Sequence, residues 1–172
     1  MGGFGHLSRR FFGSLRPGGP AEADRAWVES VLLEREYELW QRMYGPDRRH
    51  SVMVAREVER RLGHVATPPV LAAALLHDVG KIDADLGTWG RVIATMSAKV
   101  AGRDAAKLWI KATGFTRKVG LYFHHPEIGA DMLELAGSDP LTYTWAEQHH
   151  RPAEEWTIDP QIAQALHEAD DD

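Results

Sequence analysis

The segment PPVLAAALLHDVGK, residues 68–81, decides the fold of this 172-residue chain. Its first ten residues are nearly all apolar, and a proline at the first position is typical of a helix start. A helix that is apolar on every face has to be buried, so the pattern predicts a central helix. His77 and Asp78 follow it, where an unpaired charge would cost several kcal/mol. We expect Gly80 to permit a sharp exit and Lys81 to reach back to an anion.

Helix start and stop signals recur outward from this segment, and no stretch alternates convincingly as a strand. Residues 21–44 are predicted to form one helix, and Asp47 is expected to cap the next, which ends at Gly63. Three later helix starts are marked by Pro126, Asp139-Pro140 and Asp159-Pro160. The sequence therefore predicts an all-α fold, a single helical bundle.

The composition excludes several classes of protein. Without cysteine there are no disulfides, thiolate metal sites or catalytic thiols, and the chain fits a reducing cytoplasm. A net charge of −5 shows no nucleic-acid footprint, and the longest apolar run, Val70–Leu76, is far too short to span a bilayer. We expect a cytoplasmic protein with a flexible basic tail at 1–20 and one domain over 21–172.

A basic window interrupts this otherwise acidic chain. Residues 91–118 hold one acidic residue, Asp104, and seven basic ones: Arg91, Lys99, Arg103, Lys107, Lys111, Arg117 and Lys118. We predict a helical insert at about 88–118, with caps at Thr88 and Asp104. Its outer face is solvated, or it is a lid that draws anionic substrate toward the site. Peripheral membrane contact would use Trp89, Met96, Trp109 and Phe115, although Trp109 and Phe115 are favoured as core residues.

Histidine and aspartate residues at helix ends form the candidate metal ligands. Imidazole nitrogen and carboxylate oxygen bind Fe, Mn, Zn, Co or Ni. A carboxylate can bridge two ions through its two oxygens, whereas an imidazole cannot do so comfortably, so Asp78 is the expected bridge. Singly, each histidine is more typical of a solvated helix end. The set is His50, His77, Asp78, His125, His149, His150 and Asp170.

The motif LLHDVGK, residues 75–81, resembles the defining motif of the HD-domain metal-dependent phosphohydrolases. The order His50, His77-Asp78 and Asp170 is also similar to that family, and the resemblance runs from about residue 30 to 172. HHPEIGADML (124–133) is similar to its HP-x-x-G element, which implies His125 rather than His124 as a ligand. EQHHRP (147–152) is similar to its later histidine pair. The resemblance implies an HD domain with two divalent ions, Fe or Mn ahead of Zn, Co, Ni or Mg.

The resemblance also implies an activity: cleavage of a phosphate mono- or diester by a hydroxide that two metals activate. Asp78 and Lys81 would then be catalytic. Lys81, Arg48, Arg49 and Arg151 would contact an anionic, phosphorylated small molecule. The chain departs from the GYP branch of the family, because RPAEEWTID follows the histidine pair and contains no GYP. This departure argues against cyclic-di-GMP as substrate.

Two alternatives to a hydrolase stay open. Some HD-fold proteins with a similar ligand set are mixed-valent di-iron oxygenases, although these generally have one histidine where this chain has His149-His150. The other alternative is a non-catalytic, metal-stabilised regulatory or binding module. Of the remaining polar residues, Glu34, Glu36 and Glu38 are predicted to be solvated, with Glu36 as a possible support for His50. His6, His64 and His167 are predicted to lie on the surface.

Overall fold

The structure is a computed structural model that describes residues 18–86, 90 and 108–171. Over these residues it is built from helices and contains no strand, which confirms the predicted all-α class. The α-helices are α1 (Glu22–Val31), α2 (Glu34–Arg42), α3 (Gly45–Leu62), α4 (Pro68–Leu76), α5 (Lys81–Ala84), α6 (Gly114–Phe123), α7 (His125–Ala136), α8 (Pro140–Gln148) and α9 (Pro160–Asp171). Short 3₁₀ turns cover Gly63–Val65, Trp109–Lys111 and Ala153–Glu155.

Helix α4 lies at the centre of the main core, as its apolar sequence predicts. Every residue from Val70 to Leu76 is buried. Helices α3 and α8 make its most extensive contacts, and α1, α2 and α9 also pack against it. Because α4 is enclosed on all sides, its carboxyl end delivers His77 and Asp78 into the interior rather than to the surface.

The single helix predicted for residues 21–44 is wrong. The backbone is extended at Leu32 and Leu33, where α1 ends and α2 begins. Leu32 is buried in the core, whereas Leu33 is 54% exposed. Glu36 accepts a hydrogen bond from the Leu33 backbone N–H at 2.9 Å and is itself buried. This side chain therefore closes the start of α2, and the prediction of a solvated Glu36 is also wrong.

Most of the predicted helix boundaries are confirmed. The Asp139 carboxylate accepts the Leu141 N–H, and the Asp159 carboxylate accepts the N–H groups of Gln161 and Ile162. Gly63 and Gly137 end their helices with positive φ angles of 54° and 84°. The start of α3 differs from the prediction, because Tyr44 is its N-cap and Asp47 lies inside the first turn.

Gly80 is required for a reason other than a sharp exit. Its φ of −63° is ordinary helical backbone. A Cβ at this position would lie 2.0 Å from the carbonyl oxygen of His125 and 2.6 Å from the backbone nitrogen of Gly129. The missing side chain therefore lets the start of α7 press directly against the turn that follows α4, and this contact brings His125 next to Asp78.

A second, smaller core joins α5, α6 and the 3₁₀ turn at Trp109–Lys111. Trp109 is partly buried and packs there, but Phe115 is 47% exposed, so its assignment to the core is wrong. Phe115 lies in the first turn of α6, outside this contact. Lys118 binds the carboxylate of Asp85 at 2.7 Å.

Much of the basic window, including Thr88, Trp89, Arg91, Met96, Lys99, Arg103, Asp104 and Lys107, lies outside the described residues. Most of the predicted basic tail, residues 1–17, does so as well. Among the helices of residues 18–86, 90 and 108–171, none combines the length and the apolar character that crossing a membrane requires.

Candidate metal centre

The predicted ligands come from five places in the chain and meet at the carboxyl end of α4. His50 lies on α3, and His77-Asp78 follow α4. His125 begins α7, the pair His149-His150 follows α8, and Asp170 is near the end of α9. The structure brings all seven residues together in two adjoining groups: Asp78, His125, His149 and His150 in one, and His50, His77 and Asp170 in the other. Within each group the candidate ligand atoms lie within 4.8 Å of one another.

Three of the imidazoles are oriented by their own helices. The Nδ1 atoms of His77, His125 and His149 lie 2.9, 2.6 and 2.8 Å from the backbone carbonyl oxygens three residues earlier. A carbonyl oxygen can only accept, so each Nδ1 carries the proton and donates it. Each Nε2 is therefore left with a free lone pair, the form in which imidazole binds a metal.

The carboxylate of Asp78 lies between the two groups. Its Oδ1 is 3.3 Å from His125 Nε2 and 3.7 Å from His149 Nε2. Its Oδ2 is 3.5 Å from His77 Nε2 and 2.5 Å from Lys81 Nζ. Burial alone would raise the pKa of this carboxyl, but the charge of Lys81 outweighs it and holds the pKa well below its usual range. Asp78 is thus an anion at neutral pH.

The second group contains a hydrogen-bonded pair, His50 and Asp170, whose members come from distant parts of the chain. His50 Nε2 lies 2.7 Å from Asp170 Oδ1, and His77 Nε2 lies 3.5 Å from the same oxygen. Against the effect of burial, the hydrogen bond to His50 lowers the pKa of Asp170 far below its ordinary value. About a quarter of the His50 side chain and a fifth of the Asp170 side chain are exposed, so this group is open to solvent on one side.

The histidine pair after α8 has one buried and one exposed member. His149 is 5% exposed, whereas His150 belongs to the exposed surface. The ring centroids of the two are 4.0 Å apart, and that of His150 is 5.2 Å from that of His125. His150 therefore lies at the rim of the first group rather than within it.

The atoms that face this cluster lack the partners that buried polar groups require. His77 Nε2, His125 Nε2, His149 Nε2 and Asp78 Oδ1 are all buried and have no hydrogen-bond partner among the described residues. Leaving such groups unsatisfied costs about 1–3 kcal/mol each, and a native structure does not concentrate that cost at one point without a compensating partner. Neutral imidazole nitrogens and an ionised carboxylate are metal ligands. The residues present therefore fit a metal, and the buried cluster could hold a metal ion.

Lys81 supplies the positive charge next to Asp78. It is the first residue of α5, and its side chain is 15% exposed. Burial opposes its charge, but Asp78, Tyr122 and Asp47 together raise its pKa above the ordinary lysine value. Lys81 is therefore a cation at the edge of the cluster, where it is able to meet an anion.

Two neighbours of Lys81 are absent from the sequence prediction. The Tyr122 ring lies 5.7 Å from Lys81 Nζ, and its backbone carbonyl accepts the His125 Nδ1–H. Asp47 acts on Lys81 through its charge. The only signal for Tyr122 is its position three residues before a ligand, which residue type does not reveal. Asp47 lies one turn before His50, at a position for which the sequence predicts a helix cap.

The three arginines predicted to bind substrate occupy different surroundings. The Arg48 guanidinium lies over the ring of Trp40 at 5.5 Å, and Arg151 pairs with Glu147. Arg49 is half-buried on α3. Of the histidines predicted to lie on the surface, His64 is exposed, and the His167 ring lies 5.1 Å from that of Trp156. His6 lies outside the described residues.

Comparison of the chain with models of protein families, with curated proteins and with solved structures finds no match.

Proposed function

We propose that this protein is a metal-dependent phosphohydrolase of the HD type that cleaves a phosphate mono- or diester. One observation carries the proposal: three buried imidazole nitrogens and one carboxylate oxygen lie close together, and none has a hydrogen-bond partner in the part of the chain that the structure describes. Buried acceptor atoms without hydrogen-bond donors are costly in a protein interior, and a bound metal cation removes this cost. The order of the ligands along the chain, His50, His77-Asp78 and Asp170, adds the resemblance to HD domains.

The two groups of residues suggest how a pair of ions would be held. Asp78, His125, His149 and His150 would hold one, and His50, His77 and Asp170 the other, with Asp78 shared because its oxygens face different groups. Such a pair, when bound, lowers the pKa of water and neutralises charge on a phosphoryl group. The N and O donors suit Fe or Mn, and Zn, Co, Ni and Mg are less favoured candidates.

The remaining chemistry belongs to the side chains of the protein. The Nδ1–H bonds to backbone carbonyls keep His77, His125 and His149 in one tautomer and fix their rings. Lys81 would bind a nonbridging phosphoryl oxygen and stabilise the charge that develops on it. The exposed faces of His150 and His50 mark the side from which substrate would enter. Arg48, Arg49 and Arg151 remain candidates for further anion contacts.

The test is anaerobic purification followed by metal counting and two activity assays. Turnover of bis-p-nitrophenyl phosphate and of p-nitrophenyl phosphate is compared with oxygen uptake over a panel of small organic substrates. Metal-loaded protein that hydrolyses either ester without oxygen supports the proposal. Mixed-valent iron with oxygen uptake would overturn it in favour of a di-iron oxygenase. Metal-loaded protein that turns over nothing would leave a binding module as the better account.

Lys81→Met is the informative variant for substrate binding, because methionine preserves much of the apolar stem and removes the charge. We expect it to keep its metal and to lose activity. The exposed Lys111→Met is the matched control and is expected to retain full activity. If Lys81→Met hydrolysed both esters at the wild-type rate, Lys81 would have no role in binding the phosphoryl group.

A further inference from the structure

A cavity of about 290 Å³ opens at one end of α4. The His and Asp side chains that are the candidate metal ligands, called the metal cluster below, lie at the opposite end. The walls of the cavity include Pro68, Pro69 and Ala72 from the start of α4, and Leu33 and Glu36 from the start of α2. The metal cluster begins after Leu76, at the other end of the same helix. The volume is close to the lower end of the range for small-molecule sites, about 300–1,000 Å³. The cavity is therefore large enough for a small organic ligand.

The lining is mainly apolar, but one buried carboxylate lies in it. Glu36 is 3% exposed. Its Oε2 accepts the Leu33 N–H at 2.9 Å, and this is the one hydrogen bond that the side chain makes with the described part of the chain. Closing the start of α2 thus uses one of its two oxygens. A carboxylate has about four acceptor positions, so most of the acceptor capacity of Glu36 is left for something else.

The other polar side chains of the lining do not offer a buried acceptor that is free, as Glu36 does: that of Thr142 is hydrogen-bonded, and that of Asp139 is exposed. The Thr142 hydroxyl donates to the Pro69 carbonyl at 3.1 Å, and Asp139 Oδ1 accepts the Leu141 N–H at 2.9 Å. The lining contains two acidic residues, Glu36 and Asp139, and no arginine, lysine or histidine is among the described residues that form it. The cavity is therefore negatively charged and surrounded by apolar walls.

These properties select one chemical class of ligand. An anion would meet two carboxylates without a compensating cation. A hard metal ion would need six or more oxygen ligands, which proline, leucine and alanine side chains do not provide. A neutral apolar molecule would cover the Glu36 carboxylate without pairing it, which is costly. An organic ammonium ion with a short apolar body would pair with Glu36 and pack against Leu33, Pro68 and Ala72.

We infer that this cavity is a binding site for a small organic ammonium ion, in which Glu36 is the counter-ion and the walls formed by α2 and α4 hold the apolar body. The inference is independent of the proposed hydrolase activity, because it uses none of the metal-cluster residues. It predicts that the charge of Glu36 matters for ligand binding separately from its role at the start of α2.

The test compares two probes of nearly equal size, cyclohexylammonium and cyclohexanol, by isothermal titration calorimetry and by ¹H–¹⁵N NMR shifts of the full chain. We expect cyclohexylammonium to bind and to shift the amides of Leu33 and Thr142. Cyclohexanol is expected to bind at least roughly tenfold more weakly, because it lacks the charge-assisted hydrogen bond to Glu36.

Glu36→Gln separates charge from folding, because glutamine serves in place of glutamate at this helix position and still accepts the Leu33 N–H. We expect it to bind cyclohexylammonium at least roughly tenfold more weakly than the wild type does. Glu38→Gln makes the same change two residues later on the exposed side of α2 and is the matched control. It is expected to bind as the wild type does.

Three results would overturn the inference: no binding of cyclohexylammonium up to about 10 mM, equal binding of the amine and the alcohol, or equal binding by wild type and Glu36→Gln. The comparison of the two probes uses only the wild-type protein. It therefore decides the question even if Glu36→Gln fails to fold.

Discussion

At the scale of single residues, Asp78 is the group on which the other site residues depend. Its Oδ1 faces His125 and His149, and its Oδ2 faces His77 and Lys81. It is buried and ionised, so its charge is balanced by Lys81 and by the cation that we propose the imidazoles bind. Removing that charge without changing the shape of the side chain therefore tests directly whether these residues bind a metal.

Asp78→Asn is expected to lower both metal affinity and phosphoesterase activity by more than about a hundredfold, because loss of even an outer partner of a metal ligand costs 10–100-fold. Metal content after gel filtration and ester turnover are the two measurements. Asp83→Asn, an exposed change in α5, is the matched control and is expected to behave as the wild type does. An Asp78→Asn protein that bound its metal normally would refute the role of Asp78 as a shared ligand.

Glu57 provides a residue-scale prediction about acid stability. It accepts hydrogen bonds from Arg60 and Arg61 on the same helix, and these lower its pKa from 4.5 to about 2. A depressed folded-state pKa contributes stability above the unfolded-state value, and this contribution is lost as the carboxyl is protonated. The stabilisation is therefore complete above about pH 4.5 and disappears toward pH 2.

Glu57→Gln is expected to lower the free energy of unfolding by about 1 kcal/mol at pH 7, the upper part of the range for exposed ion pairs. The difference from the wild type should shrink as the pH falls from 4.5 toward 2. Urea denaturation over that pH range measures it. Glu59→Gln removes a carboxylate that has one arginine partner, and it should cost less. A Glu57→Gln effect that stayed constant with pH would contradict the assignment.

At the scale of elements, the contact between the turn after α4 and helix α7 decides whether the cluster can form. A Cβ at Gly80 would lie 2.0 Å from the His125 carbonyl oxygen, which is backbone and cannot rotate away. A Cβ at Gly129 would meet Gly80 N at 3.1 Å and Val79 Cγ1 at 3.3 Å, contacts that small shifts relieve. A side chain is therefore expected to be tolerated much less well at Gly80 than at Gly129, although the two glycines lie on opposite sides of the same contact.

Gly80→Ala is expected to destabilise the protein by about 3 kcal/mol, the upper part of the range for overpacking, and Gly129→Ala by about 1 kcal/mol. Gly80→Ala should also weaken metal binding, because the added Cβ would push α7 away from the turn and so move His125 away from Asp78. Urea unfolding and metal titration of the two variants test this order. Equal effects would mean that the contact between the turn and α7 is less tight than these distances require.

The elements also show what the sequence can predict and what it cannot. Caps such as Asp139 and Asp159 act on backbone groups two or three residues away, so local sequence reveals them. The break between α1 and α2 has neither proline nor glycine, and the packing of both helices on α4 decides it. The role of Gly80 depends on a contact with Gly129, which is 49 positions later. Local rules have no access to such a contact.

The candidate site follows the same division. The seven ligand candidates were predictable because their chemistry and order are present in the sequence, and the structure brings them together. Tyr122 was not predictable, because it acts on His125 through a backbone carbonyl that every residue has. The exposure of His150 beside a buried His149 depends on how α8 ends, and residue type does not encode it.

At the scale of the whole molecule, the cluster joins parts of the chain that the apolar core also packs together. Its residues come from α3, α7, α9 and the turns after α4 and α8. A ligand that binds only the folded state stabilises it by about 2.7 kcal/mol at a concentration of 100 times its dissociation constant. We therefore expect a saturating metal to raise the melting temperature by roughly 5–10 °C, and EDTA to reverse this increase.

Differential scanning calorimetry with and without Mn²⁺ or Fe²⁺ measures the shift. Asp78→Asn is the control, since its melting temperature is expected to be insensitive to the same ions. A wild-type melting temperature that did not change with any of the candidate metals would contradict a folded-state metal site.

The pair formed by His50 and Asp170 has a consequence for how the protein is made. The two residues are 120 positions apart, and the helix that carries Asp170 is the last described element. A nascent chain synthesised only as far as residue 159 already contains the buried imidazoles of His77, His125 and His149 but has no partner for His50 from α9. The proposed metal centre can therefore be completed only after α9 has been translated, and a ribosome-stalled chain is expected to acquire at most the ion that we propose for the first group.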